Sequence, residues 1–277
     1  MEKEDLTEEV FCLKFELKTL ADQLLRQSSE RWVPGFLYEK TEYSHVERYK
    51  LACEYTAGKK VIDIACGVGM GTHMMATTGL ADSVYGTDIQ PEAIRYARWR
   101  FPNCNITFEI NDAQKLAICD EFDVAVSFET IEHLPDYRNF LISVKKALKR
   151  GGLFLVSTPI SSLPLDGNPF NPYHIQEWGF HEFQQAVNEY FVIEKIYVQL
   201  YPAVPVNPPP AKIKLLRRVV NRIKNEFFPP ATDTGAYISA SPPAHPFSKI
   251  EEYNGQYPSC DLGGLRQGYQ ILIAKAK

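Results

Sequence analysis

Two short segments hold most of the chain's reactive side chains. Phe128-Glu129-Thr130-Ile131-Glu132-His133 sets two carboxylates and an imidazole in an E-x-x-E-H pattern. Asn171-Pro172-Tyr173-His174-Ile175-Gln176-Glu177-Trp178 adds a second imidazole. Imidazole titrates near neutrality, so His133 and His174 are the candidate bases for taking a proton from an acceptor, with Glu129 orienting their loop. The same residues admit a second reading. Glu129, Glu132 and His133 converge on one helical turn, and His174 completes two carboxylates and two imidazoles, a set suited to magnesium, manganese or zinc. Both readings stand at this point. His73 reads as structural, and no catalytic role is expected of His181, which faces either the Phe183 side of its helix or solvent.

Upstream, Val61-Ile-Asp-Ile-Ala-Cys-Gly-Val-Gly-Met-Gly-Thr72 reads as a buried strand ending near Asp63. It then turns through Gly67, Gly69 and Gly71 into a helix. Glycine lets a backbone turn sharply and approach a ligand, and the helix start beyond offers free N–H groups. G-x-G-x-G alone is a weak signal, because dinucleotide sites use similar loops. Here the G-x-x-G spacing of the nicotinamide fingerprint is absent. The acidic strand end also suits a cationic amino-acid group better than a pyrophosphate.

These segments need a scaffold, and the pattern predicts one. Strands are expected at Lys60–Ile64, Ser83–Thr87, Asn105–Ile110, Phe122–Phe128, Leu153–Ser157, Phe191–Leu200 and Tyr269–Ala274. Helices are expected at about 41–55, Pro91–Arg100, Tyr137–Lys149 and Gln176–Glu189, with Gly151-Gly152 ending the third. Alternation of this kind argues for an α/β domain over 59–200 with a parallel sheet covered on both faces. Residues 1–58 read as a helical cap. Within them Leu6, Val10, Leu13, Leu17, Leu20 and Leu24 form a heptad-like stripe over 6–24. The stripe fits either a helix packed on its own domain or the seam of a homodimer. Residues 201–266 form an insertion that carries eleven of the nineteen prolines, and 267–277 return the last strand. Inside the insertion, 212–224 has six basic residues, no acidic one and apolar residues at helical spacing. That stretch fits a packed helix, a site for an anionic acceptor, or a peripheral contact with an acidic membrane.

Taken in order, the segments resemble the motifs of class I S-adenosylmethionine-dependent methyltransferases. Val61–Thr72 resembles their first motif. Tyr85-Gly-Thr-Asp88-Ile89-Gln-Pro resembles the second, whose acidic residue binds both ribose hydroxyls. Asn111-Asp112-Ala113 resembles the third, which meets the adenine amino group, and Phe122–Glu129 resembles the fourth. The resemblance implies a Rossmann-like, seven-stranded, mostly parallel sheet with an antiparallel last strand. It implies S-adenosylmethionine as cofactor, bound by Asp63, Ala65, Cys66, Gly67, Gly69, Asp88, Ile89, Asn111, Asp112, Ala113, Phe128 and Tyr49. Helices before the first strand commonly cover the cofactor in such proteins, which puts Tyr38, Tyr43, His45 and Tyr49 over its methionine end.

Finer resemblances point two ways. Ser29-Glu-Arg-Trp-Val-Pro34, Arg48-Tyr49, Phe128–His133, Ser157-Thr-Pro159 and Asn171–His174 are similar to bacterial members found with polysaccharide and glycan biosynthesis. This chain has Ser29 where those have Gly. The expected reaction is O-methylation of a sugar or glycan-linked hydroxyl, so the expected partner is a small-molecule or glycan acceptor. E-x-x-E-H also resembles ubiquinone-pathway O-methyltransferases. With His174-x-x-Glu177-Trp178 it resembles metal-dependent small-RNA 3′-terminal ribose 2′-O-methyltransferases. A cofactor-binding, non-catalytic partner protein is a third reading.

Composition narrows the field. The chain has 277 residues and a formal net charge of -4, which gives no global reason for a nucleic-acid partner. It has no apolar run near bilayer length, and its acidic start is unlike a secretory signal. None of the six cysteines has C-x-x-C spacing. The expectation is a reduced, cytoplasmic protein.

Overall fold

The computed structural model describes residues 2–24, 32–34, 39–161, 169, 171, 173–200, 249–255 and 268–277. Helices α1 (Glu2–Leu24) and α2 (Glu39–Cys53) come first. Then β1 (Lys60–Ile64), α3 (Met70–Thr77), β2 (Ser83–Asp88), α4 (Pro91–Arg100), β3 (Ile106–Ile110) and β4 (Phe122–Phe128) alternate. They are followed by α5 (Tyr137–Ala147), β5 (Leu148–Pro159), α6 (Phe180–Asn188) and β6 (Phe191–Leu200). The chain ends with β7 (Glu251–Glu252) and β8 (Gly268–Ala276).

The strands form one sheet in the order β3-β2-β1-β4-β5-β8-β6-β7. Strands β1 to β5 pair in parallel. Strand β8 runs antiparallel between β5 and β6. The expected Rossmann-like α/β sheet is therefore present, with eight strands rather than seven. The extra strand is β7, which pairs Glu251 and Glu252 with Val198 and Tyr197 on the outer side of β6. A short, charged strand on that side blunts an otherwise open sheet edge.

Three local expectations are corrected. Helix α5 stops at Ala147, and β5 begins at Leu148 and runs on through Gly151-Gly152. The glycine pair bends a strand instead of ending a helix: Gly151 has φ +76°, and a Cβ on Gly152 would meet the carbonyls of Lys149 and Asp123 at 3.0 and 3.1 Å. The pairing of β4 with β5 shifts register beside it. Helix α6 starts at Phe180 rather than near Gln176, because Glu182 Oε2 accepts from Gly179 N at 2.9 Å and caps it there. Helix α2 lies two residues earlier at each end than the pattern suggested.

One face of the sheet packs on α5 and α6 through Phe140, Leu141, Trp178 and Phe183. The other packs on α2 and α3 through Tyr49, Ala52 and Met75. Fully burying one such large apolar side chain contributes about 1.5–3 kcal/mol, so these faces hold the strand ends in fixed relation. Helix α1 packs on its own domain through Phe11, Cys12 and Phe15, which cluster with Tyr96 and Trp99 of α4, while Leu6, Val10, Leu13 and Leu17 of the heptad-like stripe are exposed. The basic stretch 212–224, with nearly all of the 201–266 insertion, lies outside the described residues, as does Tyr38. Among the described residues no helix is long and apolar enough to cross a membrane.

Candidate functional site

The carboxyl ends of β1, β2, β3 and β4 carry every segment read from the glycine and acidic motifs. After β1 the backbone enters the left-handed region at Ala65 (φ 61°), Gly67 (φ 57°) and Gly69 (φ 85°). Ala65 adopts it at some cost, since it carries a Cβ. Asp88 fixes the loop from β2: Gly67 N and Gln90 N donate to its two carboxylate oxygens at 3.0 and 2.9 Å. Cys66 N donates to Thr87 O, and Asn111 N to Asp88 O, which ties the ends of β1, β2 and β3 together. A carboxylate has about four lone-pair sites, so Asp88 can accept more than these two bonds. Ile89 beside it is 63% exposed. Asp112 accepts from Gln114 N at 2.9 Å and opens a short turn, Ala113–Lys115. A carboxylate able to take a hydroxyl pair, an exposed aliphatic face and a second carboxylate in line fit the parts of a nucleoside.

Asp63, expected as a cofactor contact, lies between the glycine turn and the helices beside it. It is fully buried, and both its oxygens are engaged: Thr72 donates at 2.6 Å and Tyr49 at 3.1 Å. Burial first, then the nearby charge of Asp88, pushes its carboxyl up to about 7, although both hydroxyls pull the other way. Asp63 therefore holds the glycine loop to α2 and α3 from beneath. Tyr49 is buried against Phe128, edge to face at 5.1 Å between ring centroids. Its hydroxyl keeps its proton well above the ordinary phenol range because of burial and Asp63. Gly71 makes this packing possible, since a Cβ there would lie 2.0 Å from the Tyr49 ring. Thr72, the third residue of α3, joins the site through its bond to Asp63, and its place directly after the glycine turn is the sequence signal for it. His45 stacks on Trp32 at 5.3 Å, and burial with the charge of Arg48 keeps it neutral well below its usual range.

The second half of the site lies at the ends of β4 and β5. Glu129 sits at φ 53°, again left-handed for a residue with a side chain. Ser157 of β5 donates to its carboxylate at 2.6 Å and accepts from its N–H at 3.3 Å. Glu132 is fully buried; Thr158 donates to its Oε2 at 3.2 Å, and its Oε1 has no hydrogen-bond partner. Burial first, then Glu129, raises its pKa well above the carboxylate range. The backbone O of Glu132 accepts from Ile175 N and Gln176 N, which docks the 173–178 segment on the 131–133 turn.

That docking brings the two imidazoles together, with ring centroids 4.9 Å apart at 74°. His133 Nδ1 donates to Tyr173 O at 2.9 Å, a tautomer that makes Nε2 the basic nitrogen. His174 Nδ1 donates to Glu177 Oε1 at 2.6 Å, and Asn171 Nδ2 lies 2.9 Å from its Nε2. One ligand atom each from Glu132, His133 and His174 lies within 4.8 Å of the others. Glu129 is outside that group, and its carboxylate instead accepts from Ser157. The cation set read from sequence is thus three residues, not four. His181 packs edge to face on Phe180, and His73 stacks on Phe101. Arg48 was not read as a site residue. It is buried, bonds Gln199 Oε1 at 2.8 Å and lies 4.4 Å over the Tyr269 ring, tying α2 to β6 and β8.

A family model for a methyltransferase domain matches residues 55–195. A Mycolicibacterium smegmatis relative named "Probable S-adenosylmethionine-dependent methyltransferase" is 33% identical over 164 residues, 58% of this chain and 62% of the relative. The chain thus spans about three fifths of that relative's length. A ubiquinone biosynthesis O-methyltransferase of Thiobacillus denitrificans is 33% identical over 106 residues, 37% of this chain and 45% of that protein. Among solved structures, the cyclase SpnF superposes with a TM-score of 0.57 at 15% identity over 94% of both chains. That neighbour shares the fold and is named for a different reaction, so the chemistry must be argued from the site.

Proposed function

The chain belongs to the methyltransferase-domain family, and we propose that it transfers a methyl group from S-adenosylmethionine to a hydroxyl of a sugar or glycan-linked acceptor. Asp88, Ile89, Asn111, Asp112 and Ala113 are the residues to hold the nucleoside, with Ala65, Cys66, Gly67 and Gly69 shaping the loop beside it. Tyr49 and Phe128 form the apolar wall next to that loop, and Asp63 keeps Tyr49 in place. When bound, the cofactor supplies a methyl group on a sulfonium sulfur, open to in-line attack. His133 Nε2 takes the acceptor's proton, because the bond from Nδ1 to Tyr173 O directs basicity to that nitrogen. His174, oriented by Glu177, sets the second wall, and Glu129 braces the loop through Ser157.

The observation that carries an oxygen acceptor is the pairing of a buried carboxylate with two oriented imidazoles beside the cofactor loops. The sugar class is supported by the Glu30–Pro34, Phe128–His133 and Asn171–His174 resemblances. Methyl release with a panel of nucleotide sugars, lipid-linked sugars, quinol precursors and RNA oligonucleotides tests it. Turnover confined to the sugars is expected, and turnover confined to another group refutes the sugar reading.

A second reading rests on the convergence of Glu132, His133 and His174 within 4.8 Å and on the unpartnered Glu132 Oε1. Those three donors, one carboxylate and two imidazoles, suit manganese better than magnesium, which prefers oxygen ligands, and a divalent cation there supplies Lewis acidity toward an acceptor oxygen. This arrangement is also what favours RNA ribose methylation as the alternative. Full activity after exhaustive chelation excludes the cation; loss restored by manganese excludes the metal-free base.

A further inference from the structure

Helix α1 presents two faces with different fates. Phe11, Cys12 and Phe15 turn inward against α4, and the contact is reinforced by polar groups. Arg95 lies 3.8 Å over the Phe11 ring and donates twice to Glu8, at 2.8 and 2.6 Å. Tyr96 donates to Glu16 at 2.6 Å. On the opposite side of the same helix, Leu6, Val10, Leu13 and Leu17 are 65, 44, 49 and 64% exposed. Single exposed leucines are ordinary, but four in one row on a docked helix are a surface built for a partner.

The spacing and charges say which partner. The steps from Leu6 to Val10, Leu13 and Leu17 are four, three and four residues, the rhythm of a two-stranded coiled coil. In that frame Val10 and Leu17 take the a positions, Leu6 and Leu13 take d, Glu9 takes g and Lys14 takes e. A β-branched residue at a, here Val10, with leucine at d favours two strands over three or four. In a parallel pair, g of one helix meets the following e of the other, so Glu9 faces Lys14 of the partner twice across the seam. An antiparallel pair would instead set glutamates at g against each other. We propose that α1 is a dimerisation helix that pairs in parallel with α1 of a second copy of this chain. The helix is anchored to the catalytic domain through α4, which in turn follows the strand bearing Asp88, so the pairing joins two complete methyltransferase domains.

Light scattering on the full chain tests this directly. A particle of twice the 31.5 kDa chain mass is expected, and a monomer at the highest soluble concentration overturns the proposal. Leu13→Glu with Leu17→Glu gives a monomer with unchanged thermal unfolding of the domain, because neither side chain is in its core. A dimer that survives that double change places the interface elsewhere and also overturns it. Orientation is read by Val10→Cys. Parallel helices bring the two copies of an a position into disulfide reach, so cross-linking well above the wild-type background is expected, and background cross-linking argues against a parallel seam. Lys14→Glu weakens the dimer severalfold, and adding Glu9→Lys restores it.

Discussion

The two halves of the site are built by different means. Around Asp88 the geometry is set largely by backbone groups: left-handed turns at Ala65, Gly67 and Gly69, and N–H groups of Gly67 and Gln90 on one carboxylate. Around His133 it is set mainly by side chains, which meet where the ends of β4 and β5 and the 171–178 segment come together. Ser157 braces Glu129, Thr158 meets Glu132, and Tyr173 with Glu177 orients the two imidazoles. The first arrangement serves one constant ligand, and the second can change its chemistry by exchanging single side chains on a fixed frame.

This contrast makes the halves separable by mutation. His133→Ala should lower kcat by about 10²–10⁴, the usual value of a positioned base, while S-adenosylmethionine affinity stays within a few fold. Steady-state kinetics beside cofactor titration checks it, and a parallel fall in both would join the two halves. Gly71→Ala acts on the other half. Its Cβ would fall 2.0 Å from the Tyr49 ring, so Tyr49 must leave Asp63 or the helix must shift. A loss of about 1–3 kcal/mol in stability is expected by denaturant unfolding, together with weaker cofactor binding.

The smallest effect concerns Asp63 and pH. Its carboxyl titrates near 3.8 when free and at about 7 in the fold. The folded chain therefore holds a proton that the unfolded chain has already lost. Asp63's contribution to stability falls as pH rises from about 4 to about 7 and is constant above that. Asp63→Asn removes this dependence. Between pH 6 and 7 the variant should gain about 1 kcal/mol on the wild type, and parallel melting curves across that range would falsify the buried-acid assignment.

The same contrast explains what the sequence made legible. The glycine turn, Asp88 and the succession of strands and helices along the chain could be read because each rests on short-range pattern: apolar runs, glycine spacing and an acidic strand end. Strand β7 could not, since two glutamates carry no strand signal and their pairing depends on the exposed side of β6. Gly151-Gly152 misled because a glycine pair after a helix serves equally as a stop or as a bulge in the next strand. The partner of Glu129 is Ser157 and that of Arg48 is Gln199, both distant in sequence. Asp63 was read as a ligand contact because its type and place fitted one. Its burial beneath Tyr49 and Thr72 emerges only once α2 is packed on the sheet.

Calorimetric titration of S-adenosylmethionine into the full chain and its Asp88→Ala variant probes the cofactor half at its hinge. Saturable one-to-one binding is expected in the wild type. Affinity in the variant should be lower by about 100-fold, the cost of two or so charge-assisted hydrogen bonds. Equal affinity in both proteins, or no binding to the wild type, would contradict the assignment of the β1–β4 strand ends as the cofactor site.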